Sequence, residues 1–233
     1  VALGCAASVV ATGEPRGAMV VQGSATIATD GATTTITNTP GTIINWEQFS
    51  VAPDEVTRFV QRDASSAVLN RVIGSQRSDI LGQMLSNGRV FLINPNGIAI
   101  GAGARINTAG FVASSLNLSD ADFVSGRQRF EGTGREGAVV NRGVVETPDG
   151  GAVYLIAPSV ENHGVITTPN GEILLAAGHS AELVAAASPN LRVRISAPEG
   201  GEAVNVGQLV ANAGRIGLFG ASVRSSGLVD ASS

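Results

Sequence analysis

Hydrophobic and polar positions fall in short runs along this chain, and most runs end at Gly, Asn, Pro or Asp. Met19 to Ile27 reads as one or two strands, and Thr33 to Thr37 is a β-branched run polar enough to be half exposed. Ile43 to Val51 alternates, which turns Ile44, Trp46 and Phe49 toward a core. Val56 to Val60 is a further strand, and so is Gly110 to Ser115. The middle of the chain carries the clearest corner, Phe91-Leu92-Ile93-Asn94-Pro95-Asn96-Gly97-Ile98-Ala99-Ile100. Two apolar strands flank a tight turn there. Pro95 sets the φ that a type I turn needs, and Asn96-Gly97 tolerates positive φ.

Two stretches break the pattern. Residues 65–90 are the least strand-like. Ile80, Leu81, Met84 and Leu85 have the spacing of one or two helical turns, and they fit equally a strand–turn–strand with Gly82 as a bulge. Asp120 to Gly137 concentrates charge (Asp120, Asp122, Arg127, Arg129, Glu131, Arg135, Glu136) and reads as a solvated excursion from the regular body.

From Asn141 onward a repeat is visible. Asn141-Arg142-Gly143, Asn162-His163-Gly164 and Asn205-Val206-Gly207 are successive N-x-G corners, with Ser225-Ser226-Gly227 a degenerate fourth. The glycine spacings of 21, 43 and 20 read as one, two and one period. Leu155 to Gly164 aligns with Leu218 to Gly227, 63 residues on, and Leu175-Ala176-Ala177 marks another rung. A period of about 20 with short strands and corners predicts an all-β fold, a parallel β-helix. If nearly all residues coil, about ten rungs stack into a rod on the order of 50 Å long. The irregular N-terminal stretch is the expected cap against edge pairing, and the C-terminal run, which lacks a capping cluster, is expected to continue into a longer protein.

Composition agrees with many short strands. Of 233 residues, 43% are hydrophobic, only 4% aromatic, and 30 are Gly, so the expected core is narrow. The net charge of −4 and the lack of a basic stripe argue against a nucleic-acid partner. All 15 basic residues are Arg. Cys5 is the single cysteine, so no internal disulfide can form. No apolar run approaches the roughly 20 residues of a membrane helix. Residues 1–13 read as a signal-peptide remnant, as an ordered N-terminal strand, or as a lipidation site at Cys5, where Ala2 is a poor match. Residues 14–233 form the β-helix domain.

Candidate chemistry is sparse. His163 and His179 are the only histidines. His163 sits where equivalent corners carry Arg142, Val206 and Ser226, which marks an exposed structural position. Neither has a Cys or carboxylate at a metal-ligand spacing. Glycan-cleaving β-helices group carboxylates on one outer face, whereas Asp149, Glu161, Glu172 and Glu182 are scattered. The sequence thus points to no catalytic residue, metal or cofactor.

Taken together, several stretches resemble the N-terminal secretion domain of two-partner secretion exoproteins, the filamentous-haemagglutinin-type TPS domain. They are Val20 to Ile27, Trp46 to Phe49, Leu69-Asn70-Arg71-Val72, Val90 to Ile98, Ile106 to Leu116, and Ala203 to Gly207. The wording around Asn70-Arg71-Val72 and Asn94-Pro95-Asn96-Gly97-Ile98 is closer to the high-molecular-weight adhesin and haem–haemopexin-utilisation branch. The separate N-P-N-L element of filamentous haemagglutinin is absent, and Leu69 to Val72 stands in that region.

The resemblance implies a right-handed parallel β-helix with short extra-helical excursions. It implies a monomeric, non-enzymatic secretion and folding-nucleation module of an adhesin-like exoprotein, exported by Sec through the periplasm to the surface or medium. The implied partner is a cognate Omp85-type outer-membrane β-barrel transporter acting through its POTRA domains. Asn94, Pro95, Asn96 and Gly97 would pin a corner that is read or shaped for the transporter, Asn70 and Arg71 would pin the excursion beside it, and Val72 and Ile98 complete this transporter-recognition or fold-nucleating motif. Asn141, Gly143, Asn162, Gly164, Asn205 and Gly207 would be structural corners. The alternative is a module that itself binds a carbohydrate or host ligand; a host or matrix glycan could also be bound by the rest of the exoprotein.

Overall fold

The computed structural model describes residues 14–184, 192–196 and 201–232. The expectations for residues 1–13 lie outside the described residues. The body is a parallel β-helix with three strand faces.

The first face stacks Thr42–Trp46, Ala67–Val72, the later halves of Gln83–Ile93 and Arg105–Ser114, then Ala152–Ala157, Glu172–Ala177 and Arg215–Phe219, all in parallel register. The second face stacks Thr33–Asn38, Val56–Val60, the earlier halves of Gln83–Ile93 and Arg105–Ser114, then Val144–Glu146, Val165–Thr167, Gln208–Val210 and Leu228–Asp230. The third stacks Ser78–Ile80, Ile98–Ile100, Val139–Asn141, Ser159–Asn162, Glu202–Asn205 and Ser222–Ser225.

The start of the rod is closed by antiparallel pairing. Met19–Gln22 runs antiparallel along Thr42–Trp46, and Ala25–Asp30 forms a hairpin with Thr33–Asn38.

Each face's sequence follows from what covers it. Strands of the third face, such as Ile98–Ile100 and Ser159–Asn162, alternate buried and half-buried residues because only their inner side meets the core. On the first face a strand such as Ala152–Ala157 (AVYLIA) is apolar throughout, because both of its sides are covered. The inner side contributes Ile44, Trp46, Val68, Leu92 and Leu155 to the lumen core. The outer side contributes Ile43, Leu69, Phe91, Ile93 and Ile156 to a second core.

That second core is roofed by the excursions. Asn117–Leu118, Gln128–Glu131, Ser180–Val184 and Arg192–Ser196 form a separate antiparallel sheet, with the short helix Asp120–Val124 between its first two strands. Leu118, Phe123, Phe130, Ala181 and Leu183 point down from it onto the first face. The charged stretch is therefore an excursion with an apolar underside. Ser119 caps the helix by accepting from the Asp122 N–H at 3.1 Å.

Three readings of the sequence change here. Residues 65–90 are strand, not irregular: Ala67–Val72, Ser78–Ile80 and Gln83–Ile93 carry all three faces past this point. Ile80 and Met84 both face the lumen from separate strands. Of the two options at Gly82, strand–turn–strand holds, with Gly82 at a corner where a Cβ would strike the carbonyls of Ala52 and Glu55 one coil earlier.

The 43-residue glycine spacing is one coil, not two. Val165 pairs directly with Gln208, and Leu155 reaches Leu218 through Leu175 in two steps. The difference is the hairpin Ser180–Val184 with Arg192–Ser196, whose length happens to be close to that of a coil. Among the described residues the second face accordingly holds eight strands rather than about ten rungs.

Candidate functional site: two corners and an anchored excursion

The Asn94–Gly97 corner joins the first face to the third. Asn94 is fully buried, while Pro95 and Asn96 are exposed. The Asn94 amide donates to the Gln76 carbonyl and the Ser78 hydroxyl, both at 2.9 Å. Its Oδ1 accepts from the Asn96 backbone N–H at 2.9 Å and from the Asn96 side chain at 3.1 Å. The Gly97 N–H closes the turn on Asn94 O at 3.0 Å. Gly97 takes φ of 98°, the left-handed region where a side chain is strained.

The corner is bonded to both neighbouring coils. On the earlier side Asn96 donates to Gly74 O at 2.9 Å. On the later side Gly137 N–H donates to Pro95 O at 2.9 Å, and Ile98 N–H to Ala138 O at 3.0 Å.

Asn70, Arg71 and Val72 lie one coil earlier, with Arg71 in register with Ile93. The chain beyond Val72 reaches Gly74, the acceptor of Asn96, so the two motifs lie on neighbouring coils and are linked through Gly74. Successive strand residues face opposite sides, which separates the roles of Asn70 and Arg71. Asn70 points into the lumen, where its Oδ1 accepts from Trp46 Nε1 at 3.0 Å. Val72 is buried in the same core. Arg71 points outward. It donates to Leu118 O at 2.6 Å, and its guanidinium lies 2.7 Å from the Asp120 carboxylate. The contact to the excursion thus belongs to Arg71 alone.

The N-x-G corners lie at the other end of the third-face strands, where Val139–Asn141 pairs with Ile98–Ile100. Asn141, Asn162 and Asn205 are fully buried and form a ladder. Asn141 Nδ2 donates to Asn162 Oδ1 at 2.8 Å, Asn162 Nδ2 to Asn205 Oδ1 at 2.9 Å, and Asn205 Nδ2 to Ser225 Oγ at 3.2 Å. Asn162 and Asn205 each accept from the rung before and donate to the rung after, while Asn141 Oδ1 accepts from the Gly143 N–H of its own corner at 3.1 Å, so the polar column is satisfied inside an apolar rod. Beside it Gly143, Gly164, Gly207 and Gly227 stack so closely that a Cβ on Gly164 would strike Gly143 O, and one on Gly207 would strike Gly164 O.

His163 is exposed, and its ring sits 2.8 Å from Glu161 on the same strand end. Among the described residues no group of His, Cys, Asp or Glu could hold a metal. Sequence reasoning missed the partners Ser78, Trp46 and Asp120, because pairs separated in sequence by a coil or more leave no local pattern.

Residues 11–229 match the family described as the TPS secretion domain. The chain belongs to that family. The TPS domain superposes on the HMW1 secretion domain from Haemophilus influenzae with a TM-score of 0.85 at 41% identity, covering 91% of this chain and 57% of that one. It matches the filamentous hemagglutinin secretion domain with a TM-score of 0.54 at 16% identity, over 92% and 97% of the two chains, a likeness of fold. A heme/hemopexin-binding protein of Haemophilus influenzae is 43% identical over 105 residues, which is 45% of this chain and 12% of that protein. A second heme/hemopexin-binding protein of that species is 34% identical over 101 residues, 43% of this chain and 11% of that protein.

The TPS domain therefore spans a small part of the curated relatives' length. It belongs with the branch of HMW1 and the heme/hemopexin-binding proteins, serves as the secretion domain of a secreted exoprotein, and is of the kind recognised by a cognate transporter.

Proposed function

We propose that this TPS domain is the address by which a longer, adhesin-like exoprotein reaches its transporter, and that the Asn94–Gly97 corner serves by building shape. The chain is exported by Sec and met in the periplasm, unfolded or partly folded, by the POTRA domains of an Omp85-type β-barrel. It crosses that barrel unfolded and folds outside as a monomer. Each finished coil then offers the next strand a preformed edge, so folding propagates without ATP. The domain is not an enzyme, and adhesion belongs to the rest of the exoprotein.

The observation that carries the shape reading is Asn94 itself. It is fully buried, and its amide and carbonyl are committed to Gln76, Ser78 and Asn96. A partner meeting the folded corner touches Pro95 and Asn96, not Asn94. Replacing Asn94 therefore acts by releasing the turn from the coils on either side.

The test expresses residues 14–233 behind a Sec signal in a Gram-negative host, with and without the cognate barrel protein. Transporter-dependent appearance in the medium supports the reading; retention with a working transporter overturns it. Asn94→Ala and Asn96→Ala should each lower secretion, and normal export of both would remove the corner from the account.

A further inference from the structure

A cleft of about 400 Å³ opens where the N-terminal cap, the coil at residues 62–67 and the excursion helix meet. That volume is within the roughly 300–1,000 Å³ of small-molecule sites. Three guanidinium groups line it, those of Arg62, Arg89 and Arg127, together with the rings of Phe91 and Phe123 and the amide of Gln128.

The arginines are not equivalent. Arg62 lies 2.9 Å from Asp63, and Arg127 lies 2.8 Å from Asp122. Both acids stay ionised. Bonds from Ser65, Arg62 and Ser66 hold Asp63 far below the usual range, and Ser119 followed by Arg127 lowers Asp122. Arg89 has no carboxylate partner among the described residues, and its guanidinium donates to Ser65 O at 3.0 Å. One guanidinium is thus left to receive a single anionic group.

The remainder of the cleft narrows the body of the ligand. Phe91 and Phe123 meet edge to face, with centroids 5.3 Å apart, and are buried beneath the cleft, so that only their margins reach it. The Oε1 of Gln128 is buried with no hydrogen-bond partner. Turning that amide toward a ligand breaks no bond at its oxygen, and the ligand must then bring a donor. An acyl chain has none along its length and needs an enclosed apolar tunnel, which this cleft is not. A hydroxylated ring with one carboxylate answers all three features. The guanidinium fork takes the carboxylate, the apolar margins of Phe91 and Phe123 meet carbons of the ring, and Gln128 accepts from a hydroxyl.

We propose that this cleft binds an acidic sugar of the hexuronate type, with its carboxylate on Arg89. The site is separate from the Asn94–Gly97 corner and acts in the folded, secreted domain.

The test is calorimetric titration of the 233-residue chain with digalacturonate. Saturable binding is expected, weakened about tenfold or more in Arg89→Gln and weakened in Phe123→Ala. Arg142→Gln, an exposed arginine on a later corner, should bind as the parent does. Circular dichroism on each variant confirms the fold, and Arg89→Gln should be secreted normally. No saturable binding overturns the proposal. So does equal binding of the neutral digalactoside, tighter binding of laurate or of a glutamate-rich peptide, an equal loss in Arg142→Gln, or a secretion defect in Arg89→Gln.

Discussion

Trp46 gives its indole N–H to the Oδ1 of Asn70 across 3.0 Å, and both side chains are sealed inside the first coils of the rod. The Asn70 amide accepts there without carrying charge. Asn70→Leu leaves a buried donor unpaired, and the expected loss is about 1–3 kcal/mol. Asn70→Asp should cost more, because it buries a charge beside apolar neighbours. Trp46 is the only tryptophan, so its fluorescence in a denaturant titration reads both variants directly.

The asparagine ladder predicts a different pattern. Asn162→Ala strands the Nδ2 of Asn141 and the Oδ1 of Asn205 together, so a loss of roughly 2–4 kcal/mol is expected. His163→Ala, next to it but exposed, should stay within about 0.5 kcal/mol of the parent and be secreted normally. Gly164→Ala should destabilise through contact with the Gly143 carbonyl, although alanine is ordinarily a mild substitution. Thermal unfolding of the three variants checks the order.

Arg71 should control the excursions as a unit. Its guanidinium holds Leu118 O and Asp120, and Gln128–Glu131 pairs with Ser180–Val184. In Arg71→Gln, amide exchange should quicken at residues 117–131 and at Ser180–Val184 together. The ladder corners at Asn141 and Asn162 should keep their protection. Faster exchange confined to residues 117–131 would show that the two excursions move separately.

Tyr154 is the only tyrosine and offers a pH measurement. Burial first, and then the Glu172 carboxylate 2.7 Å from its hydroxyl, push its pKa well above the ordinary 10.0. The unfolded chain therefore gives up this proton before the folded one. Stability should be unaffected by Tyr154 below pH 10 and should fall as the pH rises beyond it. Phenolate absorbance should appear only together with unfolding. In Glu172→Gln the native phenol should ionise at lower pH than in the parent.

The sequence carried the fold through spacing and the corners through residue type. Asn-x-Gly at a fixed interval announces stacked turns because amide ladders and touching backbones both need those residues. Distances along the chain were less informative where an excursion intervenes. The hairpin at residues 180–196 is close to one coil in length, so the step from Gly164 to Gly207 looks like two periods. The double coating of the first face was written in runs such as Tyr154-Leu155-Ile156, yet an apolar run does not say what covers its outer side. Asn70 and Arg71 illustrate the same limit. They are adjacent in the chain and act on opposite sides of a strand, and their partners Trp46 and Asp120 lie 24 and 49 residues away.

The roof over the first face also gives the rod uneven resistance to tension. Drawn from the Leu228–Asp230 side, the described coils peel away by single short strands, each step needing only a few backbone bonds to break. At Ser180–Val184 the peeling front meets a strand that is bonded to Gln128–Glu131, which belongs to an earlier turn of the chain. Further extension must shear that sheet and lift Ala181 and Leu183 from the apolar layer beneath. The load needed rises there, and the coils before it are shielded from a pull that has already undone those after it.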